Sequence, residues 1–306
     1  MLTLSKHIAQ GFAKGELFDV LEELQNNVGV LPTAGKTYYV SKNGNGTDGS
    51  SWANAYTTLL AAITANNLDV GSLTAEHANF YKMNRMFIDG GNYAESLTVF
   101  PNHCEMIGVG AAPARVSVST VLTTRMSVCK IYNMQFRTIT AAPVFLLCDS
   151  CQGVEFYNCI FNCSGVTPTI GLSVGNACYA LKVINCQFIG LYSATCGIRF
   201  NGVLTATVDI IGNLISAVTY GIYFADPQTV TYQVWIKNNT ICRSDGNYDT
   251  QLAHGVYNAD TGNRSDIIAV RNDISAANAF TGLNATKTIA NEVVEGSTAN
   301  QETKYS

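Results

Sequence analysis

Two aspartates raise the first question of chemistry. Asp226 and Asp260 each stand five residues after a glycine, Gly221 and Gly255. If those glycines mark equivalent places on neighbouring turns of one repeat, the two carboxylates approach each other and their pKa values split. An acid and base pair acting on a glycosidic bond needs that arrangement. The stretch between them is longer than its counterparts and carries Asp245, Tyr248, Asp249 and His254, which suit hydrogen bonding to a sugar or donation of a proton. Aspartate is equally a turn residue, and exposed turns take insertions without serving any reaction. Three readings stand side by side: catalytic candidates in Asp226, Asp260 and His254, a glycan contact through Asp245, Tyr248 and Asp249, and a plain solvated turn.

Whether those aspartates meet depends on the repeat. One column runs Ile131 to Phe136, Phe156 to Phe161, Val183 to Phe188, Ile210 to Ile215, Ile236 to Ile241 and, more loosely, Ala269 to Ile274. Its last residues are separated by 25, 27, 27, 26 and 33 positions. A second column begins with a glycine and an apolar residue at Gly171, Gly197, Gly221, Gly255 and Gly282, separated by 26, 24, 34 and 27. Both columns share one period and one stretched turn, so they belong to the same coils. The segments are short, alternating, rich in β-branched and aromatic residues, and bounded by Gly, Asn, Asp or Ser, which is the pattern of strands and turns. Helical repeats would place apolar residues three and four apart over ten or more positions, and the sequence does not.

The expectation is an all-β chain, a right-handed single-stranded parallel β-helix in which like residues stack. Phe161 should lie over Phe188, and Asn158 over Asn185. Asn133, Asn158, Asn185 and Asn238 should form a ladder at a turn that asks for left-handed dihedrals. About seven coils at ~4.8 Å give a rod body of roughly 35 Å.

Composition agrees. Charged residues make up 13% of the 306 positions against 47% hydrophobic, about half the ~25% charge of ordinary soluble domains. A net charge of −4 leaves no basic footprint, so neither nucleic acid nor an anionic membrane is expected as a partner. The charges at Lys14, Glu16, Asp19, Glu22 and Glu23 interrupt the first 30 residues, so no signal peptide is expected. Several of the ten cysteines recur at the repeat period, as in Cys104 and Cys129 or Cys159 and Cys186. They read as stacked, buried thiols; disulfides between adjacent coils are the alternative. Cys148 and Cys151 have no second pair at zinc-finger spacing, so no metal and no other cofactor is expected.

The entry region adds a resemblance. Tyr38 to Trp52 is a strand followed by a Gly- and Asp-rich turn, a helical pattern over 53–65 carries Tyr56, Leu59, Leu60 and Ile63, and Met86 to Glu95 precedes Leu97 to Val99 and Met106 to Gly110. Together with the coils this resembles the pectin-lyase-like β-helix proteins, in which such a helix caps the stack, over roughly residues 38–290. The resemblance implies a fold more than an activity, because lyases, hydrolases and viral spikes share it. The calcium-binding acidic cluster of the lyases is missing, and His254-Gly255 is only a fragment of the hydrolase Gly-His-Gly signature.

Residues 1–31 fall outside the resemblance. Leu4, Ile8, Phe12, Leu17, Leu21 and Leu24 form one apolar stripe, which reads as a docking arm or as a helix folded back on the rod. The expected organisation is thus an arm over 1–31, a β-helix over 32–290 and a polar tail over 291–306. A β-helix with such an arm and no intact enzyme motif points to a bacteriophage structural protein on the virion surface, either a capsid decoration protein or a short tail spike. It would bind other virion proteins through residues 1–31, associate as a homotrimer and touch surface polysaccharide. A polysaccharide lyase or glycoside hydrolase on the same fold is the alternative.

Overall fold

A computed structural model describes residues 35–71, 82–95, 97–110, 114–118, 125–137, 143–162, 170–189, 195–202, 207–225, 233–243, 252–259, 267–283, 288–295 and 302–305. The chain winds as a parallel β-helix with three strand faces, A, B and C. Face A stacks ten parallel strands, among them Thr37–Val40, Asn84–Asp89, Cys104–Val109, Ser127–Tyr132, Gln152–Tyr157, Leu181–Ile184, Val208–Ile211 and Val234–Lys237. Face B includes Met134–Arg137, Ile160–Asn162, Gln187–Ile189, Leu214–Ala217 and Thr240–Arg243. Face C is built from Phe145–Leu147, Ile170–Val174, Cys196–Phe200, Tyr220–Phe224 and Leu252–Asn258. The strand Asp273–Thr281 rounds a corner and pairs in both B and C.

The alternation of each strand sends one residue set inward, and the register stacks those sets. Phe161 pairs with Phe136 on one side and Phe188 on the other, and the rings of Phe161 and Phe188 lie parallel with centroids 4.5 Å apart. Asn158 follows Tyr157 as Asn185 follows Ile184, in strands held in register. Asn133, Asn158, Asn185 and Asn238 all take left-handed φ values between 53° and 54°. Asparagine tolerates that conformation better than other side-chain-bearing residues. The nine described cysteines are free. Cys104 and Cys129 occupy adjacent rungs without bonding, and burial pushes both thiols well above their usual range, which leaves them as inert small hydrophobes.

A buried hydrogen-bonded ladder lies one residue beyond that turn. The position reads Met134, Cys159 and Cys186, then changes to Asn213, Asn239, Asn272 and Asn291, each at most 2% exposed. Each amide Nδ2 donates to the Oδ1 of the next at 2.9 Å from Asn213 to Asn239, Asn239 to Asn272 and Asn272 to Asn291. Each also donates to a backbone carbonyl, those of Val183, Ile210, Ile236 and Ala269 in turn. The ladder's buried amides thereby find their partners within the protein.

Three sequence expectations need correction. The helix expected over 53–65 runs over Leu59–Val70. Residues 53–56 are held in the entry turn, where the carbonyls of Ala53 and Ala55 accept from Asn45 and Gly46 and the Tyr56 N–H donates to Tyr39. Thr58 then caps the helix through Ala61, and the Glu95 carboxylate accepts from the N–H groups of Leu59 and Leu60. Secondly, Gly282 does not continue the glycine column: the register places Ala279 over Gly255, and Gly282 ends its strand at φ 70°. Thirdly, the polar tail is not separate from the stack. Glu292–Glu295 pairs parallel with Asp273 to Ser275, and Glu302–Tyr305 folds back on it antiparallel.

The true glycine column has a packing reason. A Cβ on Gly197 would meet Ile215 Cγ2 at 2.4 Å and the Gly221 carbonyl at 2.7 Å, and Gly221 and Gly255 are crowded in the same way. Face C turns its backbone against the isoleucines of face B at this corner, leaving no room for a side chain.

Candidate functional site

The sequence candidates are only partly placed. Asp226, Asp260, Asp245, Tyr248 and Asp249 lie outside the described residues, as do Leu4, Ile8, Phe12, Leu17, Leu21 and Leu24 of the arm. The register does align their frame: Tyr220, Ile222 and Phe224 pair with His254, Val256 and Asn258, and Ala259 N–H donates to the Phe224 carbonyl at 3.0 Å. Gly221 and Gly255 are therefore true equivalents on adjacent rungs.

His254 is the one placed candidate, and it stands in a cluster that the sequence reading did not assemble. On the outer side of face C, Arg199, Tyr223, Tyr257 and Thr281 succeed one another rung by rung. Tyr220 and His254 form a second, adjacent row. Tyr220 stacks on Tyr223 at 4.5 Å and on His254 at 5.3 Å. Tyr257 meets Tyr223 edge-on at 5.4 Å and His254 at 4.7 Å. The Arg199 guanidinium lies 5.6 Å from the centre of the Tyr223 ring, close enough for cation–π attraction. Every one of these side chains is half-buried, pressed against its neighbours while one side meets solvent.

The arrangement follows from strand periodicity. Two residues per strand, three apart, point outward around the corner at Tyr220 and Tyr223 and again at His254 and Tyr257, so the next rung repeats the pair about 4.8 Å along the rod. The period was visible in the sequence, as was the Tyr-x-x-Tyr to His-x-x-Tyr match. Missing was the observation that both members face outward, because Gly221 and Gly255 at the bend make their spacing neither two nor four.

Electrostatics define what the cluster can do. Burial lowers the His254 pKa, so the imidazole is neutral at pH 7 and its Nδ1 lies 3.1 Å from the Thr281 hydroxyl. Burial, then the neighbouring Tyr223 and Tyr257, raise the Tyr220 pKa, so the phenol stays protonated. Arg199 Nε is buried and has no hydrogen-bond partner among the described residues. Apart from Asp273, which sits at the face B end of the corner strand, the described strands of face C contain no Asp or Glu. This set can stack on a flat apolar face, hydrogen bond through hydroxyls and imidazole, and offer one cation. It holds no described carboxylate for acid and base work.

A recess of about 700 Å³ at the capped end is lined by Lys36, Tyr38, Tyr56, Leu68 and Asp69 among others. Its ionic groups are engaged: Asp69 pairs with Lys36 at 2.6 Å and with Lys82. That bridge ties the helix end to the entry strand, so we assign the recess to the cap. Among the described residues no group of His, Cys, Asp and Glu side chains is disposed to hold a metal ion. No family model, curated protein or solved structure matches the chain.

Proposed function

We propose that this chain is a rigid display and binding module on a virion surface, and that it contacts surface glycan through the outer side of face C. The reading rests on one observation: Tyr220, Tyr223, His254 and Tyr257 form a continuous half-exposed aromatic surface beside Arg199. Tyrosine presents a large, rigid contact area at low entropic cost and keeps a polar tip for hydrogen bonds. The apolar face of a pyranose stacks on such a ring while its equatorial hydroxyls reach outward. Neighbouring rungs then match successive sugars along a chain running parallel to the rod. The stacked Phe and Asn cores hold those rings at fixed spacing, which suits binding by a preformed surface.

The virion setting is supported by the repetitive rod and by the absence, from the sequence, of the lyase and hydrolase signatures. A binding screen of the whole protein against bacterial surface polysaccharides and their oligosaccharides tests the reading. Retention of at least one glycan, lost in the double variant Tyr223→Ala, Tyr257→Ala, is the expected result. Release of shortened oligosaccharide during incubation would replace the display module with a depolymerase.

A further inference from the structure

Face A carries a second surface feature that glycan binding does not use. Six consecutive rungs present a charged residue at one shared outer position, in the order Arg85, Glu105, Lys130, Glu155, Lys182 and Asp209, and the register aligns them in a single row. Signs alternate without exception. On the same rungs, two residues further along each strand, runs a row of Phe87, Ile107, Tyr132, Tyr157, Ile184 and Ile211. All six are large and half-buried on the outside of the rod, apolar but for the two tyrosine hydroxyls, of which that of Tyr157 donates to Glu155. Tyr132 and Tyr157 stack at 4.9 Å with planes 9° apart.

We infer that the outer side of face A is a two-fold interface between two copies of this chain, with their rods antiparallel. An alternating row with an even number of charges becomes its own complement when reversed. A two-fold axis along the strand direction, passing between the rungs of Lys130 and Glu155, sets Lys130 against Glu155 of the second copy. It likewise sets Glu105 against Lys182 and Arg85 against Asp209. The same axis keeps position along the strand, so the apolar row meets the apolar row, Tyr132 against Tyr157 and Ile107 against Ile184. A two-fold running along the rod instead brings each rung against itself, which either opposes like charges or sets the charged row on the apolar one.

Within one chain the pairing is incomplete. Arg85 pairs with Glu105 at 2.9 Å and Lys182 with Glu155 at 3.1 Å, while Lys130 and Asp209 have no ion pair among the described residues. The antiparallel arrangement supplies both. Eight rungs overlap, because the strand Thr37–Val40 then meets the strand Val234–Lys237. At ~4.8 Å per rung and ~13 Å per four-residue strand the footprint is about 500 Å² a side. The total of about 1,000 Å² lies at the lower limit for a specific complex, so a dimer that dissociates on dilution is expected.

Sedimentation velocity of the full chain over a wide concentration range, with double electron–electron resonance on a nitroxide at position 85, tests the inference. The expected result is a monomer–dimer equilibrium. Lys130→Glu should weaken it at least tenfold, and the double reversal Lys130→Glu, Glu155→Lys should restore it to within about threefold. Circular dichroism melting separates association from folding: Glu155→Lys gives up the pair with Lys182 and lowers the melting temperature somewhat, and association is compared at a temperature where both variants are fully folded. Labels at position 85 of the two copies sit five rungs apart, so the distance should be about 24 Å along the rod and a few ångströms more across it. A label distance below about 15 Å, a trimer, or a monomer at every concentration would overturn the proposal.

Discussion

Replacing Asn239 by Ala removes the middle of the buried amide ladder. The Asn239 Oδ1 accepts from both the backbone N–H and the side-chain Nδ2 of Asn213, each at 2.9 Å. Its Nδ2 donates to the Ile210 carbonyl and to Asn272 Oδ1, again at 2.9 Å. The variant leaves two N–H bonds of Asn213, the backbone one and one of the two on Nδ2, without an acceptor in an interior where Asn213 is 2% exposed, while the other Nδ2 hydrogen keeps the Val183 carbonyl. An orphaned buried group costs about 1–3 kcal/mol, so the pair costs about 2–6 kcal/mol, and a loss near 3 kcal/mol is expected after local relaxation. Urea denaturation followed by circular dichroism reads this as a fall of about 1 M in midpoint for a slope of about 3 kcal/mol/M. The neighbouring Asn238→Gly is the control. Asn238 is exposed and its φ of 53° suits glycine, so its midpoint should hardly move. A loss under about 1 kcal/mol for Asn239→Ala would refute the view that satisfied amides, rather than stacked backbone alone, hold the C-terminal half together.

Two further outcomes follow from the same packing. Gly197→Ala forces a methyl onto the Ile215 side chain and the Gly221 carbonyl, and should cost about 1–3 kcal/mol in the same denaturation assay. At the cap, burial works against ionised Asp69, but hydrogen bonds from Lys36, Lys82 and Asn84 prevail and hold its pKa down to about 2. Its folded value is lower than the unfolded one near ~3.9. The stabilisation is therefore full above about pH 4 and lost as pH falls toward about 2. Asp69→Asn should lower the melting temperature at pH 7 and flatten its slope between pH 4 and 2.

Much of this fold was legible in the sequence because its physics is periodic. Phe136, Phe161 and Phe188 recur at a spacing that only a stack of coils explains, and Asn133, Asn158, Asn185 and Asn238 mark four of the turns in plain letters, while Gly212, Arg271 and Ala290 take the same left-handed place unannounced. The buried ladder was harder to see. Its column changes from Cys186 to Asn213, and an asparagine beside a turn asparagine reads as more turn; only the register shows that Asn238 points out and Asn239 in. Gly282 matched the period by coincidence, because Asp273–Thr281 runs through the corner without the usual break. The candidate site was legible only at His254. Its partners Tyr220, Tyr223 and Tyr257 lie on rungs whose outward direction depends on a bend at glycine, and no spacing rule for a straight strand predicts it.

The proposed glycan site is the outer aromatic surface of face C. Isothermal titration of the glycan retained in the screen, into the wild type, Tyr223→Ala and Tyr132→Ala, decides whether it binds there. Tyr223 belongs to the face C surface, and Tyr132 is a comparable outward tyrosine on face A. Loss of a stacking ring costs about 0.5–1.5 kcal/mol on top of about 1 kcal/mol for roughly 40 Å² of apolar contact at about 25 cal/mol per Å², so affinity for Tyr223→Ala should fall about tenfold or more while that of Tyr132→Ala stays within twofold of wild type. Equal affinity in all three proteins, or a loss confined to Tyr132→Ala, would contradict the claim.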